Sequence, residues 1–174
     1  MNRWRRVAWV VILVADAGFL VWGGAGALAP DHLVGPGGVP ILTAGYEGFT
    51  KLTWSDLVAT APQAAAYIKL LFRLYSAFCV IFGLLAVAIT ITAFRRGERW
   101  AWWALLVGNT LAYGGAMTYD RIVNAIGPFE LTEYLGLALI WGALAVTAPL
   151  GAPGNALTAG SRSGSHSRER PHLS

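Results

Sequence analysis

The chain has 174 residues, 56% of them hydrophobic and 13% charged, with a formal net charge of +4. Soluble domains carry roughly 25% charged residues, so this composition argues against an ordinary soluble fold and for a membrane class. A nucleic-acid module would gather its basic residues on one face of a soluble domain. Here they stand at the ends of apolar runs and in the tail, which argues against nucleic acid as a partner.

The first element follows a basic start containing Arg3, Arg5 and Arg6. Residues 7–29 then form an apolar run broken by Asp16. Ala27-Leu28-Ala29 has the look of a signal-peptide cleavage site. However, the run exceeds the roughly 7–15 residues of such a segment, holds a carboxylate, and is followed by Pro30. It is expected to be an uncleaved first span, since about 20 residues cross the hydrocarbon layer.

An outer loop over 30–62 comes next. Its first part is rich in proline and glycine and is expected to be irregular. In its second part, Thr53 and Asp56 have the spacing of a capping box, which predicts a short surface helix near 54–60 that ends before Pro62.

The second span is expected over 67–94, preceded on one helical face by Lys69 and Arg73. It holds the single cysteine, Cys79, read as a buried inert thiol; one cysteine allows no disulfide within the chain. The turn Arg95-Arg96-Gly97-Glu98-Arg99 follows, and Trp100, Trp102 and Trp103 come directly after it. Arginines beside a span hold that end in the cytoplasm, and tryptophans favour the headgroup layer.

The third span is expected over 101–119. Ala104, Gly108, Ala112 and Ala116 form a small-residue stripe that permits close helix approach. Tyr119, Asp120 and Arg121 mark its outer end. A fourth span over 129–149 has Glu130 and Glu133 near its start, where the helix dipole favours carboxylates. Ala138 and Gly142 offer a second close-packing pair. Residues 151–174 lack apolar side chains to bury and are expected to be a disordered cytoplasmic tail. The arginine bias predicts four spans over residues 1–150, up-down-up-down, with both termini cytoplasmic.

Two polar constellations stand out. Asp16 and Asn109 lie at matching depths of about 13 Å and about 12 Å by helix rise. An intramembrane carboxyl is by default a functional candidate; the plainer alternative is an interhelical clamp. At the outer interface Lys69, Arg73, Asp120, Arg121, Glu130 and Glu133 reach a similar level, with Arg73 expected to pair with Glu133 or Glu130. They could line a polar-headed, apolar-tailed pocket, or simply satisfy helix ends.

Enzyme signatures are missing. His32, His166 and His172 fall outside the spans, so no metal site is expected. Gly160-Ser161-Arg162-Ser163-Gly164 is not a nucleophile elbow, and Gly35-Pro36-Gly37-Gly38 lacks the end of a P-loop. No catalytic residue and no cofactor is assigned.

Arg73, Gly83 and the run Arg95-Arg96-Gly97-Glu98-Arg99-Trp100-Ala101-Trp102, together with the layout of residues 5–149, resemble the DoxX-like four-span proteins and uncharacterised actinobacterial membrane proteins of that kind. The resemblance implies a membrane component, sometimes tied to redox partner complexes. It carries over no catalytic residue. A fainter likeness to the emopamil-binding sterol isomerases fails on their membrane-buried His and Glu pattern, because no histidine lies in a span.

The expected fold is therefore all-α: a four-helix transmembrane bundle with a short extracytoplasmic surface helix. The expected function is non-enzymatic binding of an amphiphilic small molecule or a membrane-protein partner, in a homo-oligomer or alone within the lipid bilayer. The alternative is a small membrane enzyme or proton-coupled carrier that uses Asp16.

Overall fold

The computed structural model describes residues 3–35, 38, 40–124 and 130–148, and the chain is all-α. The tail expected over 151–174 lies outside the described residues. Among those described, the one extended feature is an isolated bridge between Val34 and Pro40.

Four long helices dominate: α1 (Arg3–Leu28), α4 (Pro62–Ile89), α5 (Arg99–Val123) and α6 (Glu130–Val146). Between α1 and α4 lie a 3-10 turn (Pro30–His32) and two short helices, α2 (Ile41–Thr50) and α3 (Trp54–Thr60). By length and composition α1 and α4 can cross a membrane, whereas the described part of α6 is shorter. α5 carries Asn109, Thr110 and Thr118 among its apolar residues, which dilutes its hydropathy.

α1 packs along α4 and against α6, while α5 packs on α6 and more lightly on α4. The buried face of α1 runs through Ala8, Ile12, Asp16, Gly23 and Gly26. Its small residues set the α1–α4 distance. A β-carbon on Gly23 would lie 2.7 Å from the Ser76 carbonyl and 2.9 Å from the Val80 nitrogen, and one on Gly83 would lie 3.0 Å from the Leu20 nitrogen. The two backbones touch. The core then gathers Ile12, Ala86, Phe94, Leu105, Tyr113, Ile140 and Leu144 from all four long helices.

Two indole bonds fix which helix ends lie together. Trp9 Nε1 near the start of α1 donates to the Thr90 carbonyl at 3.1 Å, and Trp102 Nε1 near the start of α5 donates to the Leu144 carbonyl at 2.8 Å. One end of the bundle thus holds the starts of α1 and α5 and the ends of α4 and α6. There the chain turns through Gly97 at φ 85°, a conformation that glycine adopts without steric cost.

The opposite end carries the loop. Pro62 opens α4, where its missing N–H costs nothing. α3 starts as the Thr53 hydroxyl accepts the Asp56 N–H at 3.1 Å. The second capping acceptor comes from elsewhere: Glu47 Oε1 accepts the Trp54 N–H at 2.8 Å. α2 was not expected. It buries Leu42 and lies over the end of α5, and the Tyr46 ring meets Trp54 edge-on at 5.5 Å.

The small-residue stripes divide. Gly108 faces the Phe82 ring, where a β-carbon would sit 3.3 Å away. Ala138 and Gly142 are exposed, and Gly142 has nothing within 4 Å of a built β-carbon. That second pair does not pack within the chain.

Candidate functional site

Three polar side chains are fully buried near one another inside the bundle: Asp16 of α1, Thr90 and Asn109 of α5. Thr90 opens a π-helical turn, Thr90–Phe94, that continues α4. In this wider turn the Arg95 N–H reaches back five residues to the Thr90 carbonyl. π-turns inside α-helices recur at functional sites. Here the turn sets the Thr90 hydroxyl against the carboxyl, and Thr90 Oγ1 donates to Asp16 Oδ2 at 3.2 Å. The same residue's carbonyl also accepts the Trp9 indole.

Asn109 is near enough to bear on the Asp16 carboxyl, but its amide nitrogen donates to the Leu105 carbonyl at 3.1 Å. Asp16 Oδ1 and Asn109 Oδ1 are both buried without a hydrogen-bond donor from any described residue. Buried acceptors left in this state are costly. The cluster is therefore short of donors for two oxygens.

Thr90 was missed from sequence because a threonine near the end of an apolar run reads as neutral. Thr90→Val should cost about 1–3 kcal/mol of stability, since it removes the donor to Asp16. Thr90→Ser should recover most of that loss. Unfolding in detergent compares the two, and equal stability of the valine and serine variants would remove this bond from the account.

Farther along the bundle, towards the loop, lies an open cleft of about 150 Å³. All four long helices line it: Phe19 and Trp22 from α1, Tyr75 and Cys79 from α4, Tyr113 from α5 and Glu133 from α6. The rings brace one another. Phe19 stands edge-on to Tyr113 at 5.0 Å, and Trp22 to Tyr75 at 6.0 Å. The indole nitrogen of Trp22 is buried without a hydrogen-bond acceptor among the described residues. Aromatic walls with one carboxylate and spare polar atoms suit a mostly apolar guest with a hydrogen-bonding head.

Among the described outer charged residues, neither Lys69 nor Arg73 makes an ion pair with Asp120 or Glu133. Lys69 pairs with Asp31 of the loop at 2.8 Å. Arg73 is exposed and makes no ion pair with a described side chain. The expected pairing of Arg73 with Glu133 is thus not formed: Lys69, one turn nearer the loop, meets its partner there, and Arg73 extends outward. The side chain of Glu130 lies outside the described residues. Arg121 Nε donates to the Tyr134 hydroxyl at 3.2 Å and its guanidinium lies over that ring. Asp120 and Glu133 are both half-buried, and Glu133 belongs to the cleft.

Among the described residues no group of three or more His, Cys, Asp or Glu side chains is placed to hold a metal ion. Sequence reasoning found Asp16 and Asn109 because each interrupts an apolar run, and Glu133 because it lies near the outer start of one. It missed Trp22 and Tyr113, since single aromatic residues in such runs are commonplace. No family model matches the chain, and no curated protein or solved structure proves similar to it.

Proposed function

We propose that the chain is a non-enzymatic, four-span integral membrane protein that holds an amphiphile in the cleft between its long helices. The cleft carries this reading, because all four long helices contribute to it and it combines aromatic walls with Glu133.

The membrane part rests on outward-facing apolar side chains. Val21 of α1, Leu85 of α4, Leu111 of α5 and Leu135 of α6 are each at least 60% exposed. A soluble protein rarely leaves so much apolar surface uncovered. Only 22% of the most apolar window of α1 is buried, and 33% of that of α4. A core helix of a soluble protein would be mostly buried. The end holding Arg5, Arg95, Arg96 and Arg99 faces the cytoplasm in this reading, and the loop faces outward.

Gly18 supplies the test. It borders the cleft, and a β-carbon there meets nothing within 4 Å, so a larger side chain can enter without striking backbone. Purified in mild detergent, the wild-type chain should retain a defined amphiphile detectable by mass spectrometry. Gly18→Phe should fold normally and lose at least about tenfold in retention, or about 1.4 kcal/mol. Equal retention of the same molecule by both proteins, or a chain that stays monodisperse without detergent, would defeat the proposal.

A second reading has its own observation. The donor-deficient pair Asp16 and Asn109 fits a proton-handling role for Asp16.

A further inference from the structure

The buried cluster of Asp16, Thr90 and Asn109 is rich in acceptors and poor in donors. Its own donors, and that of the neighbouring Trp9, are already engaged. The Thr90 hydroxyl donates to Asp16 Oδ2, the Asn109 amide nitrogen to the Leu105 carbonyl, and the Trp9 indole to the Thr90 carbonyl. A carbonyl only accepts, so the nitrogen of Asn109 must be the end that meets Leu105, and its oxygen is the end left over. Asp16 Oδ1 and Asn109 Oδ1 thus remain without a donor from any described residue.

Charge narrows what can serve these oxygens. No ion pair joins Asp16 to a described Lys, Arg or His. Arg95, just beyond the π-turn, lies over the Trp9 ring instead, at 5.7 Å. A buried carboxylate without a counter-charge is costly. A water molecule would serve both oxygens but leave that charge in place. A divalent ion would overcompensate a single carboxylate. A small, hard monovalent cation balances the charge and takes oxygen ligands. The lack of histidine in the spans, which argues against a transition-metal site, does not bear on an ion held by oxygen alone.

We propose that the cluster binds a single Na+ ion through Asp16 Oδ1, Asn109 Oδ1 and the Thr90 hydroxyl oxygen. That hydroxyl keeps lone pairs available while its proton serves Oδ2. The ligands come from α1, from α5 and from the π-turn that continues α4. All three residues are fully buried, which suits a small, largely dehydrated ion. A way in lies close by: Ala15, next to Asp16, and Tyr113, one turn beyond Asn109, both line the open cleft. The ion site lies deeper than that cleft and does not require an amphiphile to be held there.

The test uses the full chain in neutral detergent, with choline as the balancing cation so that screening stays constant. Equilibrium dialysis with radiolabelled Na+ should show saturable binding of a single ion per chain. Asp16→Asn and Thr90→Val should each weaken it by at least about tenfold, whereas Thr90→Ser keeps the hydroxyl and should keep the affinity. Unfolding of the wild type needs no variant to fold. Raising free Na+ to about 100 times its dissociation constant should raise the folded-to-unfolded ratio about a hundredfold. Without Na+, Asp16→Asn should be at least as stable as the wild type, and added Na+ should leave it unchanged.

Several results overturn the proposal. One is the absence of saturable Na+ binding in the wild type, which would leave a proton on Asp16 or a bridging water in that role. Another is equal stabilisation of the wild type and Asp16→Asn by Na+, which would mean a general salt effect. Undiminished Na+ binding by Asp16→Asn would place the ion elsewhere. Displacement of Na+ by Ca2+ at equal concentration would rule out a site built for one charge. Gly18→Phe, aimed at the outer cleft, should leave equilibrium Na+ binding unchanged, so failure here and failure of the amphiphile cleft are told apart.

Discussion

Gly23→Ala is expected to destabilise the protein by about 1–3 kcal/mol, the usual cost of overpacking a tight contact. Its neighbour Gly24→Ala should be neutral or stabilising by up to about 1 kcal/mol, because alanine is the better helix former. The chemical change is identical and the positions are adjacent in α1. What differs is the surroundings. A β-carbon on Gly23 meets the Ser76 carbonyl at 2.7 Å and the Val80 nitrogen at 2.9 Å, both backbone atoms of α4. No flexible side-chain end is there to yield, so one helix must move away from the other. A β-carbon on Gly24 meets nothing within 4 Å.

The displacement would reach beyond position 23. Asp16 and Ile12 lie on the same buried face of α1 as Gly23, so a shifted α1 also draws the carboxyl away from Thr90. Reversible unfolding of both variants in mixed detergent micelles reads the difference. Equal stabilities of Gly23→Ala and Gly24→Ala would show that the α1–α4 seam is looser than described.

Much of the helical layout was legible because apolar runs and charged turns are strong signals. The expected runs at 7–29, 67–94 and 101–119 fall on α1, on α4 with its π-turn, and on α5, and the described part of the run at 129–149 falls on α6. α1 and α5 extend about a turn past the expected limits, since a helix need not stop where its apolar residues do. α2 was hidden because Gly45 and Gly48 lower its helix propensity. Burial of Leu42 and docking on α5 outweigh that loss. The cap of α3 was half legible: Thr53 works locally, whereas Glu47 acts from a helix that the sequence pattern did not reveal.

Partners were harder to read than positions. A small-residue stripe says that a face can be approached closely, not by what. Gly108 meets Phe82, while Ala138 and Gly142 face outward. Likewise, Lys69 and Arg73 share a helical face, yet only a folded loop decides that Asp31 reaches Lys69. Asp16 and Asn109 stood out as polar groups in apolar runs. Thr90 did not, because its role depends on the π-turn that re-aims it.

Asp16→Asn and Asp16→Ala should diverge sharply. Asp16 is fully buried, with Oδ2 held by Thr90 at 3.2 Å and Oδ1 without a donor, beside an Asn109 whose Oδ1 also lacks one. An asparagine keeps an acceptor for Thr90, and its amide nitrogen replaces the unpartnered Oδ1 with a donor that can serve the Asn109 oxygen. It preserves volume and removes the ionisable group. Asp16→Asn is therefore expected to match or exceed wild-type stability. Asp16→Ala opens a cavity and strands the Thr90 hydroxyl, at a cost of about 2–4 kcal/mol. Detergent unfolding measures both, and an asparagine variant as unstable as the alanine variant would show that the cluster is not short of a donor. The same variant separates the two functional readings. If Asp16 is a clamp, the asparagine protein keeps both its fold and the amphiphile retained by the wild type. If Asp16 handles a proton, the asparagine protein keeps its fold but loses any proton-coupled activity, because an amide can fill the place of a carboxyl but cannot exchange its proton.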